Sequence, residues 1–293
     1  MSRQESWQES WQEPTQPGDH YADYCQWPYD PPAPTFGKLR QSSLVRAALD
    51  AAGAHENLYA ACRELRRVLG PFRTVYGVKL QGGKLSFEFY FYDYARLGRD
   101  LSIPKVLAAL SPYVRCDLPP VEHRPYFMFS IDLDDAIVTG EAPLNEIDVY
   151  IGNPGSSVSS GICYAHRATG LELKNFYFFF DARTEQRHIA DKVAASAHLD
   201  APFDLDQILW PEMVDCGVIV VANKRRHDGI YFSRIRSSQL GQFFARAGWP
   251  ADVHKPFADN AGYFDHLLFD IGIDYAVDNG RVVILKSAFY GLL

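Results

Sequence analysis

The sequence predicts an α+β fold, a ten-stranded antiparallel β-barrel built from helix-strand-strand-helix repeats with the helices outside. Three observations carry this expectation. The stretch Gly83-Lys84-Leu85-Ser86-Phe87-Glu88-Phe89-Tyr90-Phe91-Tyr92 alternates strictly between two residue classes, and a period of two marks a strand whose faces differ. Five pairs of strand-like segments recur along the chain, punctuated by segments of helical spacing. Ten antiparallel strands need both faces covered or must close on themselves. A parallel α/β barrel is disfavoured, because each of its strands would be followed by a helix and read as a continuous apolar run.

Taken in order, residues 1–38 hold the near-repeat Glu5-Ser6-Trp7-Gln8-Glu9-Ser10-Trp11-Gln12-Glu13 and a proline cluster through Pro31, Pro32 and Pro34. Polar, low-complexity termini bury too little apolar surface to fold alone, so these residues are expected to be a disordered tail, leaving 39–293 as one barrel domain. In 42–69, Leu44, Ala47, Ala48 and Ala51, then Leu58, Cys62, Leu65 and Leu69, recur at helical spacing around Gly53, and Gly70-Pro71 ends the run. One interrupted helix or two is expected. The first hairpin joins 74–80 to the alternating strand through Gln81-Gly82-Gly83, and 102–110 forms a helix capped by Ser102 with Pro104 in its first turn.

The second pair is 127–133 with 146–151, and the third is 162–167 with 173–181, followed by a helix from Thr184 to about His198. The connection 152–160 is too polar and too rich in Gly and Ser to be a helix. The fourth pair, 216–223 with 229–236, leads into a helix carrying Leu240, Phe243, Phe244 and Ala247, and a helical stretch over 257–268 precedes the last pair. That pair, 269–277 with 281–288, turns at Asp278-Asn279-Gly280, and Asn-Gly is a strong short-hairpin signal. In the closed barrel the Leu, Phe and Ile faces meet the helices, while Lys84, Glu88, Tyr90, Asp132, Asp148 and Tyr150 line the lumen. Two separate α+β domains meeting near residue 200 are the alternative architecture.

Composition bounds the function. An apolar share of 47% in 293 residues supports a sizeable core. The net charge of −7 and the lack of any basic run beyond Lys224-Arg225-Arg226 argue against nucleic acid as the main partner. Cys25, Cys62, Cys116, Cys163 and Cys216 are scattered, with no C-x-x-C, so a reducing cytoplasm is expected rather than a disulfide framework or zinc site. No apolar run is long enough to span a membrane and no signal peptide is read, so the expectation is a cytoplasmic protein without membrane insertion, a monomer or weak dimer. The histidines lack metal-ligand spacing, so no protein-ligated metal site is assigned. Asp134-Asp135 reads as a solvated strand end, and Asn153-Pro154-Gly155-Ser156-Ser157 as a flexible connection without the Gly-Lys-Ser/Thr of a phosphate loop.

Three stretches carry a resemblance: Tyr76-Gly77-Val78-Lys79-Leu80 before the aromatic strand, the pair Ile131-Asp132-Leu133 and Glu146-Ile147-Asp148-Val149-Tyr150, and Leu285-Lys286-Ser287-Ala288-Phe289-Tyr290-Gly291. With the repeated unit, residues 40–293 resemble the ABBA-fold aromatic prenyltransferases, and most of all the cyanobactin-type peptide prenyltransferases. Those enzymes place a Glu two residues before Tyr-Gly, where Thr74 stands here. The resemblance implies transfer of a dimethylallyl or geranyl group from its diphosphate, with magnesium, onto an aromatic or other nucleophilic side chain of a peptide, or onto a small aromatic molecule.

Such chemistry requires cations for the leaving diphosphate, π-faces for the allylic cation and an acceptor for the displaced proton. Lys84, Lys174, Arg234, Arg236, Lys286 and Tyr290 are the expected diphosphate-binding residues. Tyr90, Tyr150, Tyr164, Tyr177 and Tyr231 are the expected shield. Glu88 is the first candidate for the proton acceptor, with Asp132 and Asp148 behind it. A non-catalytic barrel holding a hydrophobic ligand is the other functional class, and buried cations distinguish the two, since a carrier of apolar ligands has no use for them.

Overall fold

The computed structural model describes residues 12–153, 156, 158–199 and 201–293. Its centre is a closed barrel in which each strand pairs antiparallel with its neighbours: β1 (Thr74–Gln81), β2 (Lys84–Tyr92), β3 (Met128–Leu133), β4 (Ile147–Gly152), β5 (Ser160–Arg167), β6 (Gly170–Asp181), β7 (Val218–Lys224), β8 (Asp228–Arg236), β9 (Leu268–Asp278) and β10 (Arg281–Leu292). Pairing of β10 with β1, from Leu292 opposite Val75 to Ser287 opposite Leu80, closes the ring. The sequence reading locates all ten strands, and closure into one barrel excludes two sheets meeting near residue 200. The last hairpin turns where expected, with Asn279 and Gly280 both at positive φ, the geometry of a type I′ turn.

The helical reading of 42–69 resolves into α1 (Ser42–Ala52) and α2 (Glu56–Leu69), separated at Gly53, whose φ of 62° terminates α1 in the left-handed region. Then come α3 (Ile103–Leu110), the short α4 (Asp135–Val138), α5 (Gln186–Ala194), α6 (Ser237–Arg246) and α7 (Ala251–Asp259). Two expectations shift. The helix placed over 257–268 lies earlier, as α7, because Pro250 starts it and Asn260 ends it before a 3₁₀ turn. Asp134, read as a solvated strand end, caps α4 through a 2.9 Å hydrogen bond from the Ile137 amide.

The apolar strand faces point outward against the helices. Phe87, Phe89 and Phe91 of β2, Ile131 and Leu133 of β3, and Phe269, Ile271 and Ile273 of β9 join Leu44, Leu58, Leu65, Phe243 and Phe257 of the helices in one buried core. A second cluster inside the barrel holds Val75, Tyr90, Tyr92, Met128, Tyr150 and Tyr290. No helix among the described residues is long and apolar enough to cross a membrane.

The N-terminal segment departs from its expected disorder. Residues 12–38 fold onto the barrel domain, with Pro14 bridging Leu39 and Ala22 bridging Pro28. Glu13 receives Arg40 and Arg66 at 2.5 Å each, and Arg40 also binds Asp19 at 2.6 Å. Composition cannot reveal this, because the partners come from α2 and from the chain just before α1, not from the segment itself. The tryptophans Trp7 and Trp11 lie outside the described residues, as do Pro154, Gly155 and Ser157 of the connection between β4 and β5.

Candidate active site

The lumen encloses a cavity of about 470 Å³. Strand parity decides what lines it: Gly77 and Lys79 of β1, Glu88, Tyr90 and Tyr92 of β2, Asp148 and Tyr150 of β4, and Gly272 and Asp274 of β9 all turn inward. Of the expected residues, Glu88, Asp132, Asp148, Lys174, Lys286, Tyr90, Tyr150, Tyr177, Tyr231 and Tyr290 are brought together here.

Four are not. Lys84 is exposed at the tip of the first hairpin. Arg234 is the extra residue of a bulge between Ser233 and Ile235, at φ 64°, and its guanidinium leaves the strand to bind Asp23 at 2.8 Å. That bulge breaks the i, i+2 relationship expected of Arg234 and Arg236, and Arg236 lies outside the lumen at the start of α6, its side chain 65% exposed. Tyr164 packs on the outer core, because Cys163 and Ala165 are the inward residues of β5.

The hairpin-turn end of the cavity is lined by charge. Lys79 Nζ binds Glu88 at 3.2 Å and also Asp132. Lys174 binds Asp148 at 2.6 Å and Glu146 at 2.8 Å. It is the extra residue of a bulge on β6, which turns it toward Asp148 while Asn175 keeps the inward parity. Asp274 sits between Lys224 at 2.5 Å and Lys286 at 2.8 Å, and receives the Tyr231 hydroxyl at 3.2 Å. Lys79, Lys224 and Asp274 were missing from the expected set. Their signal was a charge at inward parity on an otherwise apolar strand, as Lys79 is in Val75-Tyr76-Gly77-Val78-Lys79-Leu80.

Below the charges runs a belt of tyrosines. Ring centroids are 6.0 Å apart from Tyr150 to Tyr177, 6.2 Å from Tyr177 to Tyr231, 6.4 Å from Tyr231 to Tyr290 and 5.8 Å from Tyr290 to Tyr90. Burial pushes all five hydroxyls well above the usual phenol range, so they stay neutral. Two glycines make room for the rings. A Cβ on Gly77 would meet Tyr290 at 2.9 Å and Tyr90 at 3.2 Å, and one on Gly272 would overlap the Tyr231 ring across the β8–β9 pair.

The two inner carboxylates differ in environment. Burial raises the Glu88 carboxyl, but the Lys79 charge, hydrogen bonds from Ser130 and Tyr90 at 2.6 Å each, and the Lys286 charge hold it down to about 2. At Asp148, burial together with the Glu88 charge outweighs Lys174 and pushes the carboxyl up to about 7. Its Oδ2 accepts from Lys174, whereas its buried Oδ1 has no hydrogen-bond partner among the described residues. Thr74, at the position where the resemblance implied a Glu, is buried on the outward parity of β1 and does not line the cavity.

No protein-family model and no curated protein matches the chain. Among solved structures, AnaPT from Neosartorya fischeri is similar with a TM-score of 0.51 and 11% sequence identity, over 86% of this chain and 92% of that one. With its closed ring of ten antiparallel strands and its helices outside, the chain has the ABBA prenyltransferase barrel fold.

Proposed function

We propose that the chain is a prenyltransferase that moves a dimethylallyl or geranyl group from its diphosphate to a nucleophilic or aromatic side chain, in keeping with the resemblance to the cyanobactin-type peptide enzymes. The observation that carries this reading is the stacking of two layers in one lumen. Lys79, Lys174, Lys224 and Lys286 line one end, and an unbroken belt of neutral tyrosines lies beneath them. A leaving diphosphate needs fixed positive charge, and the allylic cation it leaves behind is stabilised by π-faces that cannot themselves ionise. A carrier of apolar ligands would not keep four lysines on its walls.

Magnesium enters this reading with the donor. Each of the four lysines is already bridged to a carboxylate, so they would neutralise only part of a diphosphate's charge, and a divalent cation arriving with the donor would supply the remainder. The base is assigned to Asp148. General bases work best with a pKa near the operating pH, and Asp148 combines a pKa pushed up to about 7 with an unpartnered oxygen. Glu88, held at about 2 by Lys79, Tyr90 and Ser130, is a weak base and serves to hold Lys79 and the tyrosine in place.

The test is incubation with dimethylallyl or geranyl diphosphate, magnesium, peptides carrying Tyr, Trp, His or Arg, and small aromatic acceptors, read by mass spectrometry. Addition of one prenyl mass to an acceptor is expected. No added mass with either donor would leave the hydrophobic-ligand-binding barrel as the better reading.

A further inference from the structure

Residues 22–29 belong to no strand of the barrel and to no helix, yet they cross the lumen at the end away from the hairpin turns. The crossing is held in place by main-chain and charged contacts. Asp23, buried, accepts the amides of Cys25 and Trp27 at 3.0 Å each, which closes a tight turn, and it receives Arg234 at 2.8 Å. The Tyr24 amide donates to Asp270 at 2.8 Å, and the Arg234 amide donates to the same carboxylate at 3.3 Å. The bulge therefore turns Arg234, which alternation from Tyr231 and Ser233 would put on the outward face, into the clasp of this strap.

The clasp drives one side chain inward. The Tyr24 ring meets Tyr290 at 4.8 Å, Tyr90 at 5.3 Å and Tyr92 at 5.9 Å between centroids, each at a steep angle. It thus lies directly beneath the tyrosine belt, with Met128, Tyr92 and Cys25 also lining the cavity at this end. A diphosphate held by the lysines leaves its hydrocarbon chain pointing down the belt toward this ring. We infer that Tyr24 is a specificity-determining residue that sets the length of the hydrocarbon chain the lumen accepts, and that the Asp23–Arg234 pair keeps it at that depth. The inference rests on the prenyl-transfer reading. Each carbon of the chain gains by leaving water until the chain reaches the ring, and beyond that point packing is violated.

The experiment measures donor binding on the full chain. Dimethylallyl, geranyl and farnesyl thiolodiphosphates, which resist ionisation, are titrated by calorimetry into wild-type protein and into Tyr24→Phe, Tyr24→Leu, Tyr24→Ala and Arg234→Ala, with melting temperature recorded for each. Tyr24→Leu and Tyr24→Ala are expected to shift the affinity ratio toward the longer donors by tenfold or more, as a few methylenes of pocket depth allow. Tyr24→Phe should keep the wild-type ratio, and Arg234→Ala should shift it in the same direction as Tyr24→Leu by a smaller factor. A folded Tyr24→Leu with an unchanged ratio, in a background where wild type binds a donor, overturns this inference alone. Wild-type protein that binds none of the three overturns the prenyl-transfer reading and this inference together.

Discussion

The Tyr90 hydroxyl donates a 2.6 Å hydrogen bond to the carboxylate of Glu88, two residues before it on the same strand, with both side chains buried inside the barrel. On the proposed reading the contact makes Glu88 a structural anion, whose carboxylate also accepts from Ser130 and Lys79. Glu88→Gln would leave Lys79 with the solvent-facing Asp132 as its one carboxylate partner among the described residues. Breaking a buried ion pair from one side costs about 3 to 5 kcal/mol, so thermal unfolding of Glu88→Gln should show a fall in melting temperature, with single-turnover rate per folded molecule nearly kept.

The same carboxylate predicts an acid limb of stability. Its folded pKa, about 2, lies below its ordinary value of 4.5, so the stabilisation is complete above pH 4.5 and is lost as pH falls through 2. The difference corresponds to about 3 kcal/mol. Denaturant melts between pH 6 and pH 3 should show about 2 kcal/mol of this loss in wild type and not in Glu88→Gln. Parallel curves for the two proteins would place the carboxylate in water.

Asp148 predicts the pH dependence of the reaction. If Asp148 is the base of the proposed transfer it must be deprotonated to act, so the single-turnover rate should rise as pH increases through about 7 and level off above it. Asp148→Asn should lower the rate by about 10² to 10⁴ and remove that limb. If instead the limb persists in Asp148→Asn, the titrating group is another one, and Asp270, also pushed up to about 7 by burial and by Asp23, is the next to test.

Lys224 and Lys286 flank Asp274 on the cavity wall, whereas Lys84 and Arg236 lie outside it. Charge-assisted contacts contribute about 1.5 to 3 kcal/mol each, so Lys224→Ala and Lys286→Ala should weaken donor binding about ten- to hundredfold by calorimetry. Lys84→Ala and Arg236→Ala should match wild type. Burial and the Lys286 charge lower Lys224 to about 8, so affinity in the free protein should fall as pH rises through 8.

Gly272→Ala tests whether the belt depends on the strand beside it. The added Cβ would overlap Tyr231, and overpacking of this kind costs about 1 to 3 kcal/mol. Turnover should drop as the ring is displaced. Gly262→Ala, whose Cβ would meet open space, serves as the control and should change neither stability nor rate.

Alternation alone suffices to place the strands and to separate the Phe87, Phe89 and Phe91 face from the Glu88, Tyr90 and Tyr92 face, because a pleated strand has only two sides. Most of the lumen follows from that parity, including the carboxylates Glu88 and Asp148 and four of the five expected shielding tyrosines. Parity fails where a bulge inserts one residue: Lys174 turns inward out of step, and Arg234, outward by alternation from Tyr231 and Ser233, turns to clasp Asp23. A bulge is a property of two paired strands and leaves no reliable mark on either one. The same holds for basicity and depth. Glu88 and Asp148 are both acidic residues at inward parity, and only the tertiary contacts separate their environments: Lys79, Tyr90 and Ser130 on one, Lys174 and an oxygen without a partner among the described residues on the other. Tyr24 lies in a segment whose composition suggests no structure, and its place under the belt is decided by Asp270 and Arg234, more than two hundred residues away along the chain.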